Sequence, residues 1–332
     1  MITIKNYDSA SELPAEWDSV IGDNLYLSRE FVSFMESVDK CGQKYYMLYD
    51  DGVLDCVFMT CVRKKYNLAM FTKLNLFTKM TLVYVPLSVT RPGVAYGKHL
   101  DKVMDFIKTI RGPKIFLNLG DEDPRGYAKG LTCPKCIWTN TFNSFEDYLG
   151  SLRSNYRYRY TKCLKKSSPL EIEYLEDNSL FSKEMYDCYL QVYNKSRIRV
   201  EKLPIEFFRG KFFKIFVLKN KGKVVGFGQM LENGTELIFE FVGVDYEYNN
   251  AFDTYHRILL EIVKYGIEHG FKTIDFGQTA DESKLKLGSK YIMLYAYLHH
   301  SCKLINAVNK KLAKHIQYKP ISIDYKVFKE DL

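Results

Sequence analysis

Apolar and polar positions along the first half of the chain alternate between helical and strand periods. Apolar residues at helical spacing predict a first helix or helix pair within 25–38. Two apolar runs joined by the dipeptide Asp51-Gly52 predict a β-hairpin over 45–62. A strand, a helix and a second strand are predicted to follow, at 80–87, 99–111 and 114–119.

The second half repeats this order of elements. After two predicted helices, at 145–166 and 183–194, a three-stranded meander is expected over 214–244, with turns at Asn220–Gly222 and Asn233-Gly234. A helix at 253–269, closed by Gly270, and a strand at 271–276 complete the repeat. Gly52 and Gly222 stand 170 residues apart, and Ile115 and Ile274 stand 159 apart, so we expect two copies of one α+β unit.

Composition and charge place the chain among globular proteins. Its 332 residues are 46% hydrophobic and 27% charged, which allows two domains and excludes disorder. The 26 Tyr and 22 Phe against 2 Trp indicate wide surfaces that are packed on one side and wet on the other. Lys and Arg number 48 against 40 Asp and Glu, and the net charge of +8 favours anionic partners without requiring a nucleic acid.

The sequence carries no signal for a membrane span, a secretory leader or a metal. No apolar run reaches the ~18 residues of a span, and the first residues lack the basic-then-apolar build of a signal peptide, so we expect a cytoplasmic protein. The eight cysteines lie mostly inside apolar runs, which argues against a disulfide framework. Cys133 and Cys136 form a single CxxC without a second pair or an HxxxH motif, and we expect no metal site.

Residues 151–170 are strongly basic. This stretch has no acidic residue and contains six cations: Arg153, Arg157, Arg159, Lys162, Lys165 and Lys166. On a helical wheel the apolar side chains of 145–163 fall within an arc of about 80°, and all six cations lie outside it. One interpretation is a docking face for a polyanion such as transfer RNA, a carrier's phosphopantetheine arm or an anionic lipid headgroup. The other is a solvated surface helix.

Glu240 is the only charged residue in the apolar strand at 237–244. Apolar surroundings disfavour a carboxylate and raise its pKa towards the range of a general base. A general base of this kind accepts the proton that an attacking nucleophile loses. The alternative is that Glu240 faces solvent or pairs with a basic neighbour.

The segment 273–288, the helix at 144–159, the meander and the helix that ends in Gly270 resemble the tandem-GNAT acyltransferases. That group joins the Fem-type peptidoglycan aminoacyl transferases to the BioF2-like acetyltransferase domains. The resemblance covers about 143–300, and the first half matches only in the order of its elements. It implies an α+β fold of two GNAT-like domains, each a mixed, mostly antiparallel sheet flanked by helices. The implied borders are 1–142 for a degenerate first domain, 143–300 for the acyltransferase domain and 301–332 for a basic extension.

The resemblance also suggests which residues form the site. A lysine shortly before a glycine is associated with acyl transfer in that family, and Lys284 matches it, with Lys286 as the alternate. Such a lysine could stabilise an oxyanion or bind the donor's phosphate. Gln278 and Thr279 follow the carboxyl end of a strand, where sheets of this kind place ligands, and are expected to contact the donor.

Other polar residues have weaker signals. Asp275 would either orient the lysine or cap a turn at the strand end. His256 begins the helix expected to face the donor. His299 and His300 are adjacent but lack a nucleophile at recognisable spacing, so a structural role is favoured.

One departure from the family bears on the donor. GNAT domains that bind coenzyme A usually carry a glycine-rich loop whose amides hold the pyrophosphate. The corresponding stretch, 245–254, has no glycine and contains three acidic residues. Coenzyme A is therefore doubtful, while transfer from a larger carrier stays open.

The tail at 301–332 has Leu304, Val308, Leu312 and Ile316 at helical spacing beside several lysines. A basic amphipathic helix can lie on a membrane surface, and an enzyme acting on lipid-linked precursors would have one, but the sequence favours a plain C-terminal docking helix.

Together these features predict an N-acyltransferase with no tightly bound cofactor and an anionic acyl donor: an acyl-coenzyme A, an acyl carrier protein or an aminoacyl transfer RNA. One alternative is an aminoacyl-tRNA-dependent transferase in peptidoglycan biosynthesis. Another is a non-catalytic protein of GNAT fold that binds an anion or a carrier, in line with the missing glycine loop. Peripheral contact with a membrane is a further expectation.

Overall fold

A computed structural model describes residues 1–86, 90–196, 198 and 202–330. The fold is α+β, with two mixed, mostly antiparallel sheets flanked by helices, which confirms the predicted class. Leu87, the predicted end of the third strand, and Leu332, the predicted end of the tail, lie outside the described residues.

The strands are β1 (Ile2–Tyr7), β2 (Lys44–Asp50), β3 (Val53–Asn67), β4 (Phe77–Val83), β5 (Val94–Tyr96), β6 (Pro113–Leu119), β7 (Ala128–Leu131), β8 (Lys135–Thr139), β9 (Glu171–Tyr174), β10 (Phe213–Asn220), β11 (Lys223–Asn233), β12 (Glu236–Val244), β13 (Thr273–Asp275), β14 (Lys290–Ile292) and β15 (Tyr295–His300). The α-helices are α1 (Arg29–Val38), α2 (Leu100–Thr109), α3 (Phe145–Ser151), α4 (Ser154–Lys166), α5 (Lys183–Lys195), α6 (Ile205–Phe208), α7 (Tyr246–Phe252), α8 (Thr254–Glu268), α9 (Asp281–Leu285) and α10 (Lys303–Ile316).

The chain forms two compact units. Unit 1 comprises Met1–Pro134 and Met293–Pro320, and unit 2 comprises Lys135–Ile292 and Ile321–Leu332. These units do not follow the predicted borders at 142 and 300. The reason is strand pairing: β8 pairs with β13 in unit 2, whereas β15 pairs with β6 and β7 in unit 1.

Each unit contains one sheet with a single parallel pair among its described strands. In unit 1 the order is β1-β2-β3-β4-β6-β15-β7, β5 pairs with β3, and β4 and β6 are parallel. In unit 2 the order is β14-β8-β13-β12-β11-β10-β9, and β12 and β13 are parallel. The hairpin turns predicted at Asp51-Gly52 and Asn220–Gly222 are present, and positive φ values occur at Asp51, Gly52, Lys221 and Gly222.

Helices α3, α4 and α8 pack with one face of the unit 2 sheet in a single apolar core. Helix α8 approaches the sheet closely because β11 has glycines opposite it. A Cβ on Gly228 would lie 2.5 Å from the ring of Phe216 and 3.1 Å from a methyl of Ile258. In unit 1 the corresponding core forms around α2.

Two local predictions were wrong. The expected single helix at 145–166 is broken into α3 and α4, because the backbone at Leu152 is extended and pairs with Phe328. Hydrogen bonds of 2.9 Å, from Arg153 N to Val327 O and from Lys329 N to Ser151 O, hold this break. The stretch 245–254, expected as a loop, is mostly the helix α7.

Candidate active site

The unit 2 sheet opens where β13 ends. Pairing between β12 and β13 stops at Ile238 opposite Asp275, whereas β12 continues to Val244. The register with β11 shifts at the same level: Met230 pairs with Phe239 and Gln229 with Phe241, so that the residue between them, Glu240, is an extra residue in a β-bulge. Bulges redirect side chains and occur often beside active sites.

Two buried polar side chains mark this opening. Glu240 is 5% exposed, so the structure excludes the alternative that it faces solvent. Gln229, which the sequence analysis missed, is completely buried, and its amide makes no hydrogen bond with any described residue. A buried amide without a partner costs free energy, and such groups often have a functional role. The sequence could have indicated Gln229, because it is a lone glutamine in an apolar strand, just as Glu240 is a lone charged residue in one.

Lys284 lies beside the opening. It belongs to α9, is 3% exposed, and its ammonium donates to the carbonyl oxygen of Gln278 at 2.8 Å. The ammonium also lies 5.9 Å from the ring centre of Phe239, the residue before Glu240. A buried ammonium next to the separating strands can act on negative charge that develops there.

The turn that carries Lys284 is strained. Thr279 and Ala280 have φ values of +63° and +50°, in the left-handed region that costs a residue with a Cβ about 1–2 kcal/mol. Gln278 and Thr279 are half-buried in this turn between β13 and α9. Strain of this kind collects at functional sites, where the surrounding fold enforces it.

Asp275 is fully buried at the end of β13. One carboxylate oxygen accepts a hydrogen bond of 2.8 Å from Gly277 N, and the other lies 3.6 Å from the ammonium of Lys135. The first contact is the turn cap that the sequence offered as one alternative. The second involves a lysine that the sequence analysis did not consider, because Lys135 is 140 positions away in the chain.

Lys286 points elsewhere than Lys284. Its ammonium pairs with Glu282 at 2.5 Å and lies 5.3 Å from the ring centre of Tyr325. Its carbonyl accepts a hydrogen bond of 2.6 Å from the hydroxyl of Tyr160. The structure therefore separates the two candidate lysines, one buried by the strand opening and one paired with an exposed carboxylate.

The six cations of 153–166 are all exposed. Five lie on α4, and Arg153 lies at its N-cap. We call them the α4 surface: Arg153, Arg157, Arg159, Lys162, Lys165 and Lys166. An open cleft of about 920 Å³ lies at its first turn and is also lined by Lys326, Lys329 and one carboxylate, Asp324. A second cleft, of about 450 Å³, lies along its later turns beside Asn249 and Asn250.

Carboxylates lie at the starts of α7 and α8. Asp245 caps α7 by accepting from Glu247 N at 3.1 Å, and it pairs with Lys223 at 3.4 Å. Asp253 precedes α8, and its carboxylate lies 2.8 Å from Nδ1 of His256. That hydrogen bond lowers the pKa of Asp253. His256 is thus engaged within the helix start, and an anion approaching either start would meet a carboxylate.

The described residues contain no group of three or more histidine, cysteine, aspartate or glutamate side chains arranged to hold a metal ion. Cys136 of the CxxC motif is buried, which raises the pKa of its thiol to about 12. Among the helices that the structure describes, none has the length and apolar character needed to span a bilayer.

Sequence comparison finds a family similarity for part of unit 2. Residues 150–285 match the family model described as an acetyltransferase (GNAT) domain. The match covers about two fifths of the chain and includes β12, β13 and α9. It supports an acyltransferase. No curated protein matches the sequence.

Several solved structures are similar. A conserved protein of unknown function from Bacteroides thetaiotaomicron has a TM-score of 0.53 and 11% identity, over 89% of this chain and 99% of that one. L-PGS from Bacillus licheniformis has a TM-score of 0.49 and 12% identity, over 85% of this chain and 94% of that one. FemX has the same score and identity, over 85% and 98%. At 11% identity, the similarity to the Bacteroides protein shows a shared fold and nothing more. The TM-scores of L-PGS and FemX, both 0.49, are too low to support a conclusion.

Proposed function

We propose that this protein is an N-acyltransferase that moves an acyl or aminoacyl group from an activated thioester or ester to an amine. One observation carries the proposal: the segment that matches the GNAT domain contains the strand opening with a buried glutamate, Glu240, and a buried lysine, Lys284. An amine acyl transfer needs a proton acceptor and a donor to the oxyanion, and these two side chains can supply them.

The proposed chemistry assigns one role to each residue. The amine nitrogen attacks the donor's carbonyl carbon, and Glu240 accepts the proton that the nitrogen loses. The carbonyl oxygen becomes an oxyanion that the ammonium of Lys284 stabilises. The intermediate collapses when the carbon–sulfur or carbon–oxygen bond to the carrier breaks and the leaving group takes up a proton.

We propose that the donor is presented by a carrier larger than free coenzyme A. Asp245 and Asp253 place negative charge at the starts of α7 and α8, where a pyrophosphate would otherwise find helix amides. The α4 surface offers cations to a phosphate-rich carrier instead. Aminoacyl transfer RNA, with a peptidoglycan precursor as acceptor, is the second candidate within this class, and the size and charge of the α4 surface favour it.

Donor binding tests this proposal. Calorimetry with acetyl-coenzyme A should give an affinity poorer than micromolar, since ~8 kcal/mol would be needed to reach that level. Transfer RNA or an acyl carrier protein should bind more tightly, and the affinity should fall steeply as salt increases. Arg157→Glu should weaken that binding, whereas Lys221→Glu, at an exposed hairpin turn, should leave it unchanged. Tight, salt-insensitive binding of acetyl-coenzyme A would overturn the choice of donor.

A non-catalytic protein that binds an anion or a carrier predicts a different result. It would bind one of these carriers yet release no acyl group from any charged form, with or without an amine. In an acyltransferase, release of the acyl group should require the amine and should be lost in Glu240→Gln.

A further inference from the structure

Helix α10 docks on unit 1 through its polar and small side chains. Asn306 donates to Gly126 O at 2.7 Å, and the side-chain carbonyl of Gln317, just after the helix, accepts from Leu131 N at 3.0 Å. Ala313 packs on an apolar cluster, and a Cβ on Gly130 would lie only 3.4 Å from Gln317 and 3.6 Å from the backbone of Ala313. This face holds the helix against β7 and β15.

The apolar stripe of α10 points to solvent. Leu304 is 79% exposed, Val308 52% and Leu312 44%, and Ile305 beside them is 45% exposed. At 100° per residue these four side chains fall within an arc of about 100°. The predicted docking helix is therefore present, but its apolar stripe is exposed except for Ile316, which is half-buried. A surface helix normally buries its apolar stripe and exposes its polar face, so the orientation of α10 is reversed.

A second exposed apolar group lies beside α10 in the same unit. The loop between β3 and β4, with the start of β4, exposes Leu74, Leu76 and Phe77, of which Leu74 is 69% exposed. The ring of Phe71 in this loop lies 5.3 Å from that of Tyr318, just after α10. A small apolar pocket is lined jointly by residues of the loop and of α10.

The β3–β4 loop and α10 both lie in basic parts of the chain that contain no acidic residue. No aspartate or glutamate occurs in 56–100 or in 283–323. The exposed lysines around the apolar side chains are Lys64, Lys65, Lys73, Lys79, Lys303, Lys310, Lys311 and Lys314. Apolar side chains flanked by lysines are the composition that binds the interface of an anionic bilayer, where the former enter the headgroup region and the latter meet lipid phosphates.

We propose that unit 1 docks on the surface of an anionic phospholipid bilayer through α10 and the β3–β4 loop. The stripe and the loop tip enter the interface, and the lysines stay at the level of the phosphates. A second copy of the chain fits less well, because an interface between two such surfaces would bring lysines against lysines without a carboxylate from either segment. This proposal concerns unit 1 and is independent of acyl transfer in unit 2.

Vesicle flotation with the full chain tests the proposal. We expect binding to vesicles of seven parts phosphatidylcholine to three parts phosphatidylglycerol, weak binding to phosphatidylcholine alone, and a loss of binding at high salt. The double variant Leu304→Glu/Val308→Glu should lower the partition coefficient at least about tenfold, because it removes apolar burial and adds repulsion. Each Lys→Gln change on α10 should lower it about fivefold.

Controls separate the surface from general effects. Leu304→Gln/Val308→Gln removes apolar contact without adding charge and should also bind more weakly. Leu180→Glu, at a 63% exposed position of unit 2, should bind as the wild type does. Absence of wild-type binding to the anionic vesicles, or unchanged binding of both double variants, would overturn the proposal. So would a dimer in sedimentation that dissociates in Leu304→Glu/Val308→Glu while vesicle binding is unaffected.

Discussion

Lys284→Met separates the charge of the buried lysine from the volume of its side chain. Methionine keeps most of the apolar stem that packs near Phe239 and removes the ammonium that donates to Gln278 O. If that ammonium stabilises an oxyanion, turnover should fall about 10²–10³-fold, since one preorganised donor contributes about 2.7–4 kcal/mol in the transition state. The effect should lie in kcat, because the oxyanion exists only after attack.

The same substitution has a smaller effect on stability. Loss of a hydrogen bond from a charged donor costs about 1.5–3 kcal/mol. That cost is partly offset, because the ammonium of Lys284, a residue that is 3% exposed in the native protein, no longer has to be desolvated. We expect the free energy of unfolding to fall by less than about 3 kcal/mol, which leaves a domain of ordinary stability folded in the assay.

The assay measures release of the acyl group in the presence of an amine, from whichever of acetyl-coenzyme A, acetylated carrier protein or aminoacyl transfer RNA supports turnover. Lys264→Met, on the half-buried part of α8, is the control and should keep wild-type rates. Lys286→Met, measured in the same assay, tests whether the alternate lysine has this role instead of Lys284. Wild-type kcat in Lys284→Met, with the variant shown to be folded by urea unfolding, would refute the role of Lys284.

Three further predictions concern a base, a half-buried histidine and a glycine. The rate should rise with pH through one ionisation, and Glu240→Gln should abolish that rise in a pH–rate profile while the thermal melt still shows a folded protein. Partial burial, with nearby lysines, lowers the pKa of His299 to about 4. Below about pH 6.5 the unfolded chain therefore binds a proton on this histidine, while the native protein does not. Stability should fall from about pH 6.5 to 4, and His299→Phe should remove about 1 kcal/mol of that loss in urea titrations. Gly228→Ala should cost about 1–3 kcal/mol of unfolding free energy, because its Cβ would meet the Phe216 ring, whereas Gly150→Ala in α3 has open space and should not destabilise.

Local pattern in the sequence determined the elements and some of the chemistry. The hairpins at Gly52 and Gly222 were predictable because positive φ favours glycine in short turns. Glu240 could be singled out because a lone charge in an apolar strand is costly unless its surroundings compensate for it, and the structure places it inside. The resemblance pointed to Lys284, but the sequence did not indicate that it is buried.

The strand partners were decided only by the tertiary structure. The sequence analysis did not predict β8 or β15, and the partners of both strands are set by hydrogen bonds between residues more than one hundred positions apart. The break at Leu152 has the same origin, since the backbone that pairs with it belongs to Phe328. Helical periodicity continues across 145–166, and the isolated Gly150 does not by itself predict a break, because single glycines are tolerated inside helices.

The bulge at Glu240 and the orientation of α10 also depend on contacts distant in sequence. A bulge is a difference in register between two strands, so it does not exist in either strand alone. Periodicity located the apolar stripe of α10, but which face packs on unit 1 follows from the close approach of Gly130 to Ala313 and from the hydrogen bonds of Asn306 and Gln317. A sequence determines where a helix is apolar, and only the packed fold decides whether that side meets the protein or the solvent.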